Sequence, residues 1–136
     1  MSRRCLPVLL PELLAAALLL SLAGSPGWAA SGDAGRGERI VSSRTEGLCL
    51  LCHPIPGQPD ALQGTLAPPL AGAGSRHSTE ALRQHLLTPE RFNPATVMPS
   101  YGRSEGFNRV ASPLAGKPLL TAAQIDDVVA YLVTLK

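Results

Sequence analysis

Two cysteines separated by two residues and followed at once by a histidine are the most constraining feature of this chain. They are Cys49, Cys52 and His53, in the pentapeptide Cys-Leu-Leu-Cys-His. This spacing is the covalent attachment signature of a c-type haem, because each thiol can add to one vinyl group of the rigid macrocycle. The histidine then lies beneath the iron and can coordinate it. The pattern predicts a fold built around one covalent haem c.

The N-terminal segment has the features of a secretory signal peptide. Arg3 and Arg4 precede an apolar stretch at 13–23, and small residues follow up to Ala29. The apolar stretch is about half the length of the roughly 20 residues that a membrane-spanning helix needs. We therefore expect residues 1–29 to be cleaved after export. The mature chain would then be periplasmic and would have no membrane span.

Residues 30–136 are expected to form one small monohaem domain. Cleavage would remove Cys5 and leave Cys49 and Cys52, a pair too close in sequence to suggest a structural disulfide scaffold. It would also remove two arginines and one glutamate, which lowers the formal net charge from +2 to +1. Nothing in this balance indicates nucleic acid or an anionic membrane as a partner.

Apolar periodicity and capping signals predict an all-α fold with three or more helices and long loops. The first helix is expected at 35–45, and the second runs from the N-cap Ser78 to about Thr88. The third begins at Thr121, which has the capping-box spacing with Gln124. Its apolar stripe consists of Ile125, Val128, Val129, Leu132 and Leu135. Residues 54–70 and 89–118 lack periodicity and are expected to be irregular. We find no strand pattern of consequence.

The ligand at the second axial position of the iron determines whether the haem only transfers electrons or also binds small molecules. Met98, His77 and His85 are the candidates in the mature chain. Met98 precedes Pro99, which favours an extended backbone and a stiff loop able to present the thioether. His77 and His85 lie in or beside a polar helical segment, so we expect them to face solvent. A six-coordinate iron with His53 and Met98 would have no vacancy for a small molecule.

A carbonyl acceptor should orient the imidazole of His53. Metal-bound histidines usually donate their second ring N–H to a fixed acceptor. The segment Ala-Pro-Pro-Leu at 67–70 offers the carbonyl of Pro68, with Leu70 packing on the haem. We also place Tyr101 in the haem pocket, three residues after Met98. A plain proline-rich turn at 67–70 is the alternative interpretation.

Other readings of the cysteine motif have less support. A thioredoxin-like site needs a strand–helix setting, which the sequence lacks. A zinc site would need a fourth ligand from His77 or His85, and no familiar ligand spacing supports it.

Several segments together resemble SoxX, the small monohaem subunit of the SoxAX cytochrome in periplasmic sulfur oxidation. The resemblance covers most of residues 35–136. The segments are Cys-Leu-Leu-Cys-His, Ala-Pro-Pro-Leu, Asn-Pro-Ala-Thr-Val-Met-Pro, Gly106-Phe-Asn-Arg-Val-Ala and Gly116-Lys-Pro-Leu-Leu-Thr-Ala-Ala-Gln-Ile-Asp-Asp-Val-Val-Ala-Tyr-Leu. Ala67 departs from the glycine that related chains often have there.

The resemblance implies a class I cytochrome c-like fold, in which the first and last helices cross beside the haem. It implies thioether bonds at Cys49 and Cys52, with His53 and Met98 as axial ligands. It also implies a heterodimer with a larger SoxA-like cytochrome subunit. In that family the larger subunit couples thiosulfate to a cysteine of the carrier SoxYZ, as an L-cysteine S-thiosulfotransferase. The SoxX haem accepts electrons and relays them to another cytochrome c.

Three hypotheses for function follow from these patterns. The leading one is a non-catalytic electron-transfer subunit of a thiosulfate-oxidising complex. The second is a free periplasmic monohaem cytochrome c that serves another electron-transfer chain. The third is a haem enzyme or gas sensor with an open iron site, which would require that Met98 is not a firm ligand.

Overall fold

The computed structural model describes residues 32–136, which contain four α-helices. We label them α1 (Ala34–Ser42), α2 (Ala73–Arg76), α3 (Thr79–Leu87) and α4 (Ala122–Thr134). Four short 3₁₀ turns lie between them, at Cys49–Leu51, Asp60–Leu62, Pro89–Arg91 and Ser112–Leu114. This part of the chain has no strand, so the all-α prediction is confirmed. The predicted signal peptide, 1–29, lies outside the described residues.

The helix ends follow from capping side chains. In α1 the carboxylate of Asp33 accepts a hydrogen bond from the Arg36 N–H at 2.6 Å, so the helix begins one residue earlier than predicted. It also ends at Ser42, short of the predicted Thr45. Ser78 caps α3 as expected. Both hydrogen bonds of the capping box between Thr121 and Gln124 are present at the start of α4.

Helices α1 and α4 cross at close range, and a glycine makes this possible. A Cβ atom on Gly37 would lie 2.0 Å from the carbonyl oxygen of Asp127, so only glycine allows this approach. Beside the crossing, Val41 and Val128 are fully buried. The first and last helices therefore pack as the class I cytochrome c architecture requires.

Helix α3 also packs against α4 and completes the small core. Leu82 and Leu86 of α3 are buried. The guanidinium of Arg83 forms an ion pair with Asp126 of α4. Among residues 32–136 no helix is long and apolar enough to cross a membrane.

Candidate haem site

A cavity of about 750 Å³ opens between the cysteine motif, the proline-rich segment, helix α3 and the loop that contains Met98. This volume lies within the roughly 300–1,000 Å³ that is usual for small-molecule sites. The cavity wall is mostly apolar. It includes every residue that we predicted for the haem site: Cys49, Cys52, His53, Pro68, Leu70, Met98 and Tyr101. The fold therefore brings together residues from three distant parts of the sequence.

The cysteine motif lies on a tight turn that directs its polar atoms to the cavity. Leu48 has a left-handed backbone conformation (φ 60°), which reverses the chain just before Cys49. The N–H groups of Cys52 and His53 then donate to the carbonyl of Cys49 at 3.1 and 2.9 Å. As a result, both thiols and the imidazole face one cavity from a single turn.

His53 has the acceptor that the sequence predicted. Its Nδ1 lies 2.7 Å from the carbonyl oxygen of Pro68. This carbonyl accepts a hydrogen bond if Nδ1 carries the proton, which leaves Nε2 free to coordinate a metal. The segment that presents Pro68 is itself fixed, because the Ala67 N–H donates to Cys52 and the Leu70 N–H donates to Pro54, each at 2.9 Å.

Arg76 adds a further support to this segment that the sequence did not suggest. Its guanidinium donates to the carbonyl of Ala71 at 2.6 Å and to that of Pro69 at 3.0 Å. These bonds tie the short helix α2 to the turn that presents Pro68. An arginine eight residues after a proline gives no sequence signal of such a contact.

Met98 approaches the cavity from the loop that follows α3. Its side chain is half-buried, and its backbone N–H is held by the hydroxyl of Thr96 at 3.1 Å. A smaller cavity of about 40 Å³ is lined by His53, Met98, Cys49 and Tyr101, together with Leu70 and four core residues. Neither His77 nor His85 lines it. The lining of this smaller cavity therefore contains both a thioether and an imidazole.

His77 and His85 form an aromatic cluster with Phe92 in the wall of the large cavity. The His85 ring stacks on Phe92 with 3.7 Å between ring centroids, and the His77 ring meets His85 edge-on at 5.1 Å. Burial and the neighbouring His77 lower the pKa of His85. His77 is exposed, as expected, but His85 is only half-exposed and both line the cavity wall.

Tyr101 closes the inner end of the site. It is buried, and its hydroxyl donates to the carbonyl of Gly47 at 2.8 Å. Burial raises the pKa of this phenol far above its usual value, so it stays protonated and keeps that hydrogen bond. Burial also raises the pKa of the neighbouring Cys49 thiol to about 11. Reactive cysteines have lowered pKa values, so this thiol is poorly suited to act as a free nucleophile.

The residues present fit a covalently attached haem. The wall offers a large apolar surface, two thiols at the required spacing, an oriented imidazole and a thioether, which is the donor set of a c-type haem. In the described part of the chain, no group of three or more histidine, cysteine, aspartate or glutamate residues is placed to hold a metal ion. The individual roles of Cys49, Cys52, His53 and Met98 toward the haem stay predictions.

The comparisons with known proteins agree with this geometry. The cytochrome c family model matches residues 35–136, which is most of the chain. The chain belongs to the cytochrome c family. It therefore carries one covalently attached haem c, and its Cys-x-x-Cys-His motif is of the type that attaches one. No match was found among curated protein sequences.

A solved structure narrows the family further. The chain is similar to a chain of SoxXA from P. pantotrophus, with 40% sequence identity and a TM-score of 0.69. The match covers 85% of this chain and 87% of that chain. The resemblance drawn from the sequence is thus confirmed, and the chain is a SoxX-like cytochrome.

Proposed function

We propose that this cytochrome is the electron-transfer subunit of a SoxAX-like complex in the periplasm. Its partner would be a larger, SoxA-like cytochrome subunit that carries the thiosulfate chemistry. The similarity to a chain of SoxXA supports the partner, and the cytochrome c domain supports electron transfer. The predicted signal peptide at 1–29 supports export.

The observation that carries this proposal is the convergence of His53 and Met98 on one cavity with both thiols. With both axial positions of the iron filled from the chain itself, there is no vacancy for oxygen, peroxide or thiosulfate. Cys49 and Cys52 are the only cysteines of residues 32–136, and haem attachment uses both. The mature chain would then have no free thiol for group transfer, which supports a relay role.

The electron balance of the proposed reaction defines what the relay must do. At the larger subunit, a bond would form between the carrier cysteine sulfur of SoxYZ and the terminal sulfur of thiosulfate. This step releases one proton from the thiol and two electrons. A monohaem chain takes electrons one at a time, so it must pass the first to an acceptor cytochrome c before it takes the second.

Carbon monoxide binding tests whether Met98 closes the iron site. The reduced wild-type protein should not bind carbon monoxide at neutral pH. Met98→Ala should keep its haem, bind carbon monoxide promptly and have a lower reduction potential, because the thioether raises the potential. His85→Ala is the matched control, since this side chain also lines the cavity, and it should behave like wild type.

Two results would contradict the assignment. One is prompt carbon monoxide binding by the wild-type protein, which would favour the enzyme or sensor hypothesis. The other is a reduction potential in Met98→Ala that equals that of the wild-type protein. The free-carrier hypothesis is tested separately: a protein that purifies as a monomer, without any larger haem subunit, would support it.

A further inference from the structure

The exposed large apolar side chains of the described residues fall into two groups and one isolated residue. Four of them, Leu51, Leu66, Phe92 and Val97, line the large cavity and belong to the haem site. Three others, Phe107, Val110 and Leu114, lie on one stretch of chain and do not line the cavity. Leu62 stands alone on its own turn. The second group is not explained by haem binding.

This second group lies on a long loop with a closed neck, which we call the 102–119 loop. At the neck, the Leu120 N–H donates to the carbonyl of Tyr101 at 3.0 Å. Every residue from 105 to 118 is exposed. Within the described residues, no hydrogen bond of 104–117 reaches outside the loop. Its one regular element is the short 3₁₀ turn Ser112–Leu114. Loops of this length are uncommon in compact domains and are usually functional.

The loop also carries an excess of positive charge. Arg103, Arg109 and Lys117 outweigh the single acidic residue, Glu105. The guanidinium of Arg103 lies 4.7 Å from the ring centre of Phe107, over its face. The loop thus combines exposed apolar side chains with an arginine-rich rim, the composition that protein interfaces favour. Its partner surface should be apolar with acidic groups around it.

The charge also argues against a second copy of this chain as the partner. A symmetric dimer would place the loop of one copy against the same loop of the other, since two-fold interfaces are self-complementary. Three cations would then face three cations, and like charges across an interface oppose association. A different protein with an acidic surface avoids this conflict.

We propose that the 102–119 loop is the surface on which the larger haem subunit docks. This inference rests on the proposed function, which supplies the partner. The neck of the loop is Tyr101, three residues after Met98, and its hydroxyl bonds to Gly47 beside the cysteine motif. A partner on this loop would therefore contact the segment that directly follows Met98 and Tyr101, two residues of the cavity wall.

A matched pair of substitutions tests the docking surface. Leu114 and Leu62 are 54% and 48% exposed, and neither lines the haem cavity. The probe is the SoxA-type subunit from the same organism, produced with its own haem. Its dissociation constant for the complete haem protein is measured for wild type, Leu114→Asp and Leu62→Asp. Absorption spectra of each variant verify that the haem site is intact.

Leu114→Asp should weaken the complex by about ten-fold or more, as for the loss of a central interface residue. Leu62→Asp should stay within about two-fold of wild type. Arg109→Glu should also weaken binding and reduce its dependence on salt, because the loop cations steer the acidic partner. Equal effects of the two leucine variants, or none at Leu114, would overturn the docking assignment while leaving the complex itself established.

Failure of the proposed function would look different. In that case the wild-type protein would not bind the larger subunit at all, and the variants would make no difference. The remaining candidate partner is a second copy of this chain. Sedimentation of the wild-type protein alone tests whether it forms such a dimer. A dimer that Leu114→Asp dissociates would assign the loop to a second copy and refute the proposal.

Discussion

At the residue scale, one ion pair links the ends of the described chain. Arg36 donates from Nε and Nη2 to the two carboxylate oxygens of Asp127, each at 2.7 Å, in a bidentate arrangement. The Asp33 N–H donates to the same carboxylate at 2.7 Å. Asp127 is nearly buried, with 7% of its side chain exposed. Charge-assisted bonds with this geometry are stronger than ordinary surface pairs.

From this ion pair we predict that the free energy of unfolding decreases in acid. The hydrogen bonds from Arg36, and then the one from the Asp33 N–H, lower the pKa of Asp127 below its ordinary value of 3.8. A carboxylate whose pKa is lowered by folding stabilises the fold at pH values above its pKa in the unfolded chain. This stabilisation is lost as the pH falls through its pKa in the folded protein. The free energy of unfolding should therefore fall as the pH decreases below about 4.

Urea unfolding of the haem protein between pH 7 and pH 3 measures this effect. Asp127→Asn should be less stable at pH 7 and should show a shallower decrease toward pH 3. Asp60→Asn, at an exposed carboxylate on a 3₁₀ turn, is the control and should follow the wild-type curve. If the free energy of unfolding of Asp127→Asn fell with pH as steeply as that of the wild-type protein, other carboxylates would dominate acid unfolding. Glu90, with its own lowered pKa, is one of them.

Single residues were predictable where the chemistry of the haem motif demands a partner of a known kind. The Pro68 carbonyl was named as the acceptor for His53 because a metal-bound imidazole needs a fixed acceptor, while the sequence alone left a plain proline-rich turn equally open. The Tyr101 bond to Gly47 spans 54 residues, and the support by Arg76 depends on the path of a turn. Neither contact leaves a periodic or spaced pattern in the sequence. Tyr101 was placed in the pocket, but its partner could not be named.

At the scale of elements, the crossing of α1 and α4 depends on Gly37. The backbones approach so closely that an added Cβ would lie 2.0 Å from the Asp127 carbonyl oxygen and 2.9 Å from the Cβ of Tyr131. The first of these is a backbone atom, which cannot move aside as a flexible side chain would. The helices must separate to admit even one methyl group.

Gly37→Ala should therefore destabilise the protein by about 1–3 kcal/mol, the usual cost of overpacking, even though alanine favours helix by about 1 kcal/mol. Gly35→Ala is the matched control in the same helix. Gly35 is exposed, and its added Cβ would meet only the Asp33 carboxylate at 3.3 Å. The control should be neutral or slightly stabilising. Similar urea midpoints for both variants would disprove the role of the crossing.

Elements with strong local signals were predicted best. Ser78 and the Thr121–Gln124 capping box fixed the starts of α3 and α4, since a cap is a contact between neighbours in sequence. The four-residue helix α2 was missed, because one turn cannot show a period. The loops at 54–70 and 89–118 were recognised as irregular, yet their paths depend on the haem site and could not be derived.

At the scale of the whole molecule, the fold leaves a largely apolar cavity that its own side chains do not fill. The core is a small cluster between α1, α3 and α4, and the cavity beside it measures about 750 Å³. Apolar surface left in water costs roughly 25 cal/mol per Å², so each 200 Å² of cavity wall exposed without haem would cost about 5 kcal/mol. The total stability of a small domain is similar, about 5–15 kcal/mol.

The chain should therefore lose its cooperative fold without haem. In the double variant Cys49→Ala with Cys52→Ala, purified free of haem, circular dichroism should show less helix and no sharp thermal transition. Added haem should restore part of the helical signal, because His53 and Met98 still offer two axial ligands. A haem-free variant that melts sharply, near the temperature of the haem protein, would show that the polypeptide core suffices. That result would contradict the prediction, because the cavity would then have to close or hydrate at little cost.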